Sequence, residues 1–280
     1  MKKERLNPLN DFIFLKIMGE KGDEEQLLAF LNAVLGRNGT DAIVSVEILE
    51  NRTLNAEVIG DKTSILDVRA LTAAGQRVNV EVQLRNLGNM DRRSLFYWSL
   101  EFSRSMESGQ DYRNAPDVIA INIVNYEFIA EVPSFHLSFH IWEDTHRVLL
   151  TEALEIHFID MVKFRRARER DLRKDPLQRW LTWFDKESPE KLVEEVIKMD
   201  RAIQKAEEKM AYISQDKEAL RAYQMREMAL SDWTSGLNHA REEGIREGMR
   251  EIARNLKAIG DPLDKIARVT GLDIETIREL

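Results

Sequence analysis

The segment SILDVRALTAAGQRVNVEVQL, residues 64–84, contains two strand-like runs separated by a short turn. In the second run apolar and polar residues alternate, as expected for a strand with one apolar and one polar face. A three-residue loop, 73–75, is favoured because Gly75 at its third position can adopt the left-handed conformation that such hairpins need. Counting back from that loop places Asp67 opposite Glu81, whereas a two- or four-residue loop would separate the two acids.

Two carboxylates paired in this way would have β-carbons about 4.5–5.5 Å apart, a distance at which like charges repel. A shared proton or a divalent cation would offset the repulsion between Asp67 and Glu81. Because the ligands are hard oxygens and the chain has no cysteine, magnesium or manganese is favoured over zinc. The alternative is an exposed hairpin face that carries unrelated polar residues.

Length and composition indicate a globular protein of one large or two ordinary domains. The chain has 280 residues, of which 43% are hydrophobic and 32% charged. The absence of cysteine excludes disulfides and thiolate zinc sites. The first residues lack the apolar core of a signal peptide, and no apolar run is long enough to span a bilayer. We therefore expect a cytoplasmic protein with no membrane segment.

The charge distribution is uneven. A net charge of −8 argues against nonspecific polyanion binding by the whole chain. The segment MVKFRRARERDLRK, residues 161–174, nevertheless has a local charge of +5. This segment suits either a solvated helix or linker, or contact with phosphate groups.

The order of the predicted elements is helix, strands, helix, strand, and then helices alone. Helices are predicted at 23–35 and 92–106, and strands at 42–49, 64–72, 77–85 and 118–126. This order favours an α/β (α+β) fold with a mixed sheet flanked by helices. From about residue 175 no strand-like run remains, so we predict domains at 1–165 and 166–280, the second being all-helical.

Small residues recur at every fourth position within the C-terminal region: Gly236, Ala240, Gly244 and Gly248. This spacing lets another helix approach closely, which predicts either a homodimer or intramolecular packing. The last residues, 262–280, show the pattern helix, glycine turn, helix and are similar to a helix-turn-helix. The acidic start of the last helix favours packing or protein recognition over the reading of a DNA groove.

His136 and His140 have the i, i+4 spacing of a helical zinc site. However, FHLSFHI, residues 135–141, alternates as a strand does, and on a strand this spacing separates the two side chains too far to share a metal. A surface strand is therefore expected. His157 lies in a similar alternating run and is interpreted in the same way.

Asp67 on one strand and the Glu-x-Gln of Glu81 and Gln83 on the next resemble the motif of PD-(D/E)XK nucleases. The segments NPLNDFIFLKIMG, FLNAVL, RRSLFYW, LEIHFIDMVKF and GIREGMREIARNL extend the likeness over most of the chain. Together they resemble the recombination-promoting nuclease family, also described as PD-(D/E)XK nuclease family transposases. The resemblance implies a restriction-endonuclease-like fold and a metal-dependent DNA endonuclease linked to recombination or mobile elements, with DNA as the partner.

The same resemblance assigns roles to individual residues. Asp67 and Glu81, with the backbone carbonyl of Val82, would bind Mg2+ or Mn2+. Gln83 holds the place of the usual lysine, and its amide would position water or phosphate without supplying positive charge. Asp11 matches the acidic position of the family's N-terminal motif, and it either approaches the metal or caps the first helix.

Arg93 and Tyr97 match the Arg-x-x-x-Tyr of this family on the helix after the hairpin. Their spacing puts them on one helix face, where they would either reach a phosphate together or pack over the sheet. The missing lysine at Gln83 leaves a second function open, a non-catalytic DNA-binding or assembly protein on a degenerate nuclease scaffold. A third is a helical interaction module, 175–280, fused to a degenerate core.

Overall fold

The computed structural model of the protein describes residues 5–49, 68–106 and 109–280. Within these ranges the chain forms a mixed six-stranded sheet flanked by helices, followed by helices alone. The strands are β1 (Val46–Ile48), β2 (Val68–Thr72), β3 (Arg77–Gln83), β4 (Val118–Val124), β5 (His136–Trp142) and β6 (Leu149–Asp160). The restriction-endonuclease-like α/β fold and the all-helical end of the chain are therefore as predicted.

The helices precede, interrupt and follow the sheet. They are α1 (Asp11–Met18), α2 (Glu24–Leu35), α3 (Met90–Arg104), α4 (Met161–Arg166), α5 (Pro176–Phe184), α6 (Glu190–Met199), α7 (Arg201–Ile213), α8 (Lys217–Ala258), α9 (Leu263–Thr270) and α10 (Ile274–Glu279). In the described ranges, each helix is too short or too polar to cross a lipid bilayer.

The hairpin of β2 and β3 closes at the pair Thr72 and Gln76 and leaves a three-residue loop, 73–75, as predicted. The Thr72 amide donates to the Gln76 carbonyl at 2.9 Å, and the Gly75 amide donates to the Thr72 carbonyl at 2.9 Å. Gly75 has φ +82°, the left-handed conformation that this loop needs. The loop length that the sequence favoured is therefore confirmed.

The register of the hairpin follows from this loop. Val68 pairs with Val80, in the alignment that the three-residue loop requires. Asp67 precedes the first described residue of β2 and lies outside the described residues. Its place opposite Glu81 therefore stays a prediction.

The sheet has the strand order β1-β2-β3-β4-β6-β5. β3, β4 and β6 are parallel, and β4 is buried over its whole length, which explains its nearly continuous apolar sequence. Gln83, Val124 and Asp160 occupy equivalent positions at the carboxyl ends of these three strands. In sheets with parallel strands this edge is where ligands usually bind.

The main core lies between one face of the sheet and the helices α1, α2, α5 and α7. Its largest fully buried side chains include Phe14, Phe30, Phe164, Trp180, Trp183 and Phe184. Phe30 contacts Trp180 and Phe184 at centroid distances of 5.9 and 5.4 Å, both edge-to-face. Burying one such ring contributes roughly 2–3 kcal/mol. Helices that follow the sheet in sequence therefore complete the core that the sheet begins.

The chain divides into two compact units, Met1–Tyr223 and Gln224–Leu280. α5, α6 and α7 belong to the first unit. The predicted division at residues 165 and 166 falls before these helices.

The second unit has a small core of its own, in which Ala253, Ile266 and Ile277 are buried. Gly271, with φ +69°, ends α9, and the Asp273 carboxylate caps α10. The predicted pattern of helix, glycine turn and helix is therefore confirmed. The small residues at 236, 240, 244 and 248 lie on α8, and self-association through them stays a prediction.

Most positive charges of the basic segment, 161–174, are bound within the chain. Arg165 contacts Asp185 at 2.9 Å, and Arg166 contacts Glu127 at 2.8 Å. The guanidinium of Arg170 lies over the Phe164 ring, and Lys163 is buried. Much of this segment therefore holds loops together, while Arg168 and Arg173 remain exposed.

We expect Gly75→Ala to lower the free energy of unfolding by about 1–2 kcal/mol, because a β-carbon is disfavoured in the left-handed region. Among the described residues, nothing lies within 4 Å of that added β-carbon, so the cost would come from the backbone alone. Gly75→Asn should lose less, since asparagine tolerates this conformation better. Urea denaturation measures both. Gly244→Ala within α8 is the matched control and should be neutral or stabilising; an equal loss in both alanine variants would contradict the argument.

Candidate active site

The middle of the polar face of β3 is buried. Asn79 and Glu81 point to the side of the sheet that α3 covers, and only 2% of Glu81 is exposed. α3 turns Ser94 and Tyr97 toward this face, and both are buried. The alternative of an exposed hairpin face is therefore wrong for Glu81, because a helix that follows the hairpin covers it.

The Glu81 carboxylate is bound on one side only. The Arg93 Nε and Nη2 atoms lie 2.9 and 2.8 Å from its Oε1 atom. Its other oxygen, Oε2, is buried and has no hydrogen-bond partner within the described part of the chain. Burial raises the pKa of the Glu81 carboxyl above its ordinary range, and the positive charge of Arg93 opposes that rise. One carboxylate oxygen therefore remains available to a ligand.

Arg93 and Tyr97 lie together, as their spacing predicted. The guanidinium carbon of Arg93 is 5.3 Å from the centre of the Tyr97 ring, a distance at which a cation and a ring face attract each other. Tyr97 thereby helps to hold Arg93 against Glu81. Both residues pack over the sheet, and their contact with a phosphate stays a prediction.

Further polar residues join α3 to the sheet. Asn122 on β4 is level with Glu81 and donates to the Ser94 hydroxyl at 2.8 Å and to the His157 carbonyl at 3.0 Å. Arg69 on β2 forms an ion pair with Glu101 on α3 at 2.6 Å. Sequence reasoning missed Asn122, although one asparagine within the apolar run VIAINIV was a usable signal.

Gln83 and Val82 lie at the carboxyl end of β3. The Gln83 amide donates to the Arg85 carbonyl at 3.1 Å, and the backbone carbonyl of Gln83 accepts from Asn125 on the β4 side. Since carbonyls alternate in direction along a strand, that of Val82 points away from β4. This direction suits the ligand role that the resemblance gives to Val82.

Asp11 is the first residue of α1, which packs near β3. The cap of this helix is Asn10, whose side chain accepts from the Phe12 amide at 3.2 Å. The capping role considered for Asp11 therefore belongs to its neighbour. Asp11 accepts from the same amide at 2.8 Å, and its approach to a metal stays a prediction.

The described residues supply only part of a site for a divalent cation. Residues 5–49, 68–106 and 109–280 contain no group of three or more His, Asp or Glu side chains placed to hold a metal ion. Asp67, the second predicted ligand, lies outside these ranges. The buried, unpartnered Oε2 of Glu81 is nevertheless a hard oxygen of the kind that Mg2+ binds. Among the described residues, Glu81 therefore suits such an ion as one of its ligands.

A family model described as PD-(D/E)XK nuclease family transposase matches residues 8–240. The chain belongs to this family. No match to a curated protein or to a solved structure was found. Membership of this PD-(D/E)XK nuclease family transposase group supports a nuclease- or transposase-like function. The matched range includes Glu81, Gln83 and Arg93.

Three histidines of this PD-(D/E)XK nuclease family transposase, His136, His140 and His157, lie on strands as predicted, but His136 and His157 are not surface residues. His157 is 3% exposed, and its Nδ1 atom is 2.9 Å from Nε2 of His136, which is half-buried. His157 Nε2 lies 2.9 Å from a Glu155 oxygen. The surface interpretation is wrong because β5 pairs antiparallel with β6 and brings the two rings together on the face opposite Glu81.

We expect Arg93→Met to lower the free energy of unfolding by about 2–3 kcal/mol, because it leaves the buried Glu81 without its cation. In the Glu81→Gln background the same change should cost much less, since an amide is less costly to bury than a carboxylate. Urea denaturation of the four proteins measures the coupling. Arg92→Met changes an exposed neighbour on the same helix and should have little effect. Losses that add within about 0.5 kcal/mol would rule out the coupling.

Stability should also depend on the protonation of His136. Burial, with a smaller effect of His157, lowers its pKa from 6.5 to about 4, while Asp175 and Glu155 oppose that change. The unfolded chain therefore binds a proton at higher pH than the folded chain, and the free energy of unfolding falls as pH drops from 6.5 toward 4. Allowing for partial exposure, we expect a loss of about 1–2 kcal/mol from this residue.

Chemical denaturation of wild type and His136→Gln at several pH values between 7 and 4 checks this expectation. The free energy of unfolding of the variant should decrease less as the pH is lowered, because the variant lacks the group whose protonation favours unfolding. His239→Gln replaces an exposed histidine on α8 and should retain the slope of the wild type. If wild type and His136→Gln lose stability in parallel, the argument is wrong.

Proposed function

We propose that the chain is a metal-dependent DNA endonuclease that acts in recombination or in the movement of genetic elements. The observation that supports this proposal best is the Glu81 carboxylate, which is buried beside Arg93 and has one oxygen without a partner among the described residues. The resemblance assigns it to the acidic motif position, and the family match covers this part of the chain. Asp67 and the Val82 carbonyl would complete the ligand set for Mg2+ or Mn2+.

In this proposal each residue has a chemical task. A bound Mg2+ would activate water and neutralise charge on the phosphate that is cleaved. Glu81 would hold the ion from a site shielded by α3, where the low dielectric strengthens its attraction. Arg93 would supply a fixed positive charge for the phosphate group, and Tyr97 would orient it. Gln83 would position water or a phosphate oxygen through its amide.

Two observations favour the non-catalytic alternative, a DNA-binding or assembly protein. Gln83 stands where the family pattern has lysine, and its amide donates to the Arg85 carbonyl. Arg93 already neutralises one side of Glu81. Salt-dependent DNA binding without cleavage in any divalent metal would support this alternative.

We expect purified wild type to nick supercoiled plasmid DNA in Mg2+ or Mn2+. Glu81→Ala and Asp67→Ala should each lower the rate by about 100-fold or more, because each removes a ligand of the ion. Gel electrophoresis of plasmid over time measures nicking, and isothermal titration calorimetry with Mn2+ measures loss of the ion site independently.

Glu152→Ala is the matched control for these variants. Glu152 is exposed on β6, and its loss should leave nicking and metal binding unchanged. Equal rates for wild type, Glu81→Ala and Asp67→Ala would remove the catalytic claim. So would the absence of nicking by folded wild type in both metals.

A further inference from the structure

Tyr126 follows β4 at the edge of the sheet where the parallel strands end. Its ring packs against the apolar cluster on the α3 side of the sheet, the same side as Glu81. Its hydroxyl is buried and, in the described ranges, has no hydrogen-bond partner. A buried hydroxyl without an acceptor is rare and costly, so this position needs an explanation.

The backbone on both sides of Tyr126 is held in place. The Asn125 amide donates to the Gln83 carbonyl at 3.2 Å, and its side chain accepts from Arg165 at 2.7 Å. The Phe128 amide donates to the buried Asp160 carboxylate at 3.0 Å, and the Phe128 ring stacks on Phe158. The hydroxyl is therefore positioned by anchored neighbours on each side.

Two charged groups of the candidate active site, Glu81 and Arg93, influence the pKa of this hydroxyl. Burial, and then the negative charge of Glu81, raise the pKa of Tyr126 to about 12, Arg93 opposes the rise, and Asp160 adds to it. At any working pH Tyr126 therefore stays protonated. It can donate a hydrogen bond but cannot act as a general base.

Glu81 and Tyr126 lie on the same side of the sheet, and each has one polar atom without a partner in the described ranges. The two atoms are complementary. The Oε2 atom of Glu81 can bind a cation or accept a hydrogen bond, whereas the hydroxyl of Tyr126 can donate one. A bare cation would satisfy Glu81 but would repel the hydroxyl hydrogen. A ligand that presents an oxygen to Tyr126 satisfies both.

We propose that Tyr126 is a binding residue of the candidate active site, and that its hydroxyl donates to an oxygen of the bound ligand. Two sources supply such an oxygen, a water molecule that hydrates the cation and a phosphate group of DNA. The inference rests on the proposed function, because it takes the cation and the DNA from there. It adds a residue that the family resemblance did not assign.

The first test uses 19F NMR of the full chain, whose five tyrosines are replaced by 3-fluorotyrosine. Tyr126→Phe assigns the Tyr126 resonance by removing it. We expect this resonance to move when ligand is added, and to move less in the Glu81→Gln variant. A shift with MgCl2 alone indicates a water of the hydrated cation. A shift only when a short DNA duplex is added in CaCl2 indicates a phosphate oxygen.

Tyr212, which is 73% exposed on α7, provides the internal control and should not respond. If the Tyr126 resonance is unchanged by both ligands while calorimetry shows that they bind, the inference is overturned and the proposed function stands. If DNA shifts the resonance in wild type but no metal supports cleavage, the endonuclease proposal fails and the binding role of Tyr126 stands.

The second test measures Tyr126→Phe directly. Nicking should fall by about 10- to 100-fold, as is typical for groups that orient a metal site. The midpoint of thermal unfolding should stay the same or rise, because the hydroxyl that is removed has no partner in the described ranges. Tyr212→Phe should change neither property. If Tyr126→Phe nicks DNA at the wild-type rate while Glu81→Ala is inactive, only the role of Tyr126 is overturned. If the wild type itself does not nick DNA, the endonuclease proposal is overturned.

Discussion

α3 shields the carboxylate of Glu81 from water, and neighbouring groups offset part of the free energy that this burial costs. An ion taken out of water loses several kcal/mol of hydration even after the protein relaxes. Arg93 offsets part of this loss from the same helix that causes it. The position of α3 on the sheet is thus tied to the charge of one strand residue, and the ion pair fixes the helix as well as the carboxylate.

The two faces of the sheet are built from different chemistry. On one face alternate apolar residues of the strands pack against aromatic rings from α1, α2 and α5. On the other face α3 meets the sheet through ion pairs and side-chain hydrogen bonds, with a smaller apolar cluster beside them. Close apolar packing gives a rigid support, while directional polar contacts hold functional groups at defined positions. The apolar core on one face can therefore stabilise a domain whose other face contains buried polar atoms that lack hydrogen-bond partners in the described ranges.

Local signals made the elements of this fold predictable. Alternation identified β3, and Gly75 identified the loop and hence the register of the hairpin. The burial of Glu81 was not predictable from alternation, because it depends on where α3 packs. The contact between His136 and His157 was missed for a similar reason, since it requires the antiparallel pairing of β5 with β6. The candidate site could thus be located by its motif residues, but its hydrogen bonds depend on contacts that are distant in sequence.

The aromatic core joins the two ends of the first unit. Arg5 donates to the Trp183 carbonyl, and the Trp183 indole donates to Glu207. Arg5 and Trp183 are 178 positions apart, so this contact forms only after a long part of the chain has been synthesised. Such non-local contacts slow folding and leave apolar surface exposed in incomplete chains. During synthesis the sheet that carries Glu81 therefore lacks α5 and α7, two helices of its main core, until both have left the ribosome. Over that interval the nascent chain exposes an apolar face of the sheet to which a chaperone can bind, and the candidate active site gains its full support only after α7 has been made.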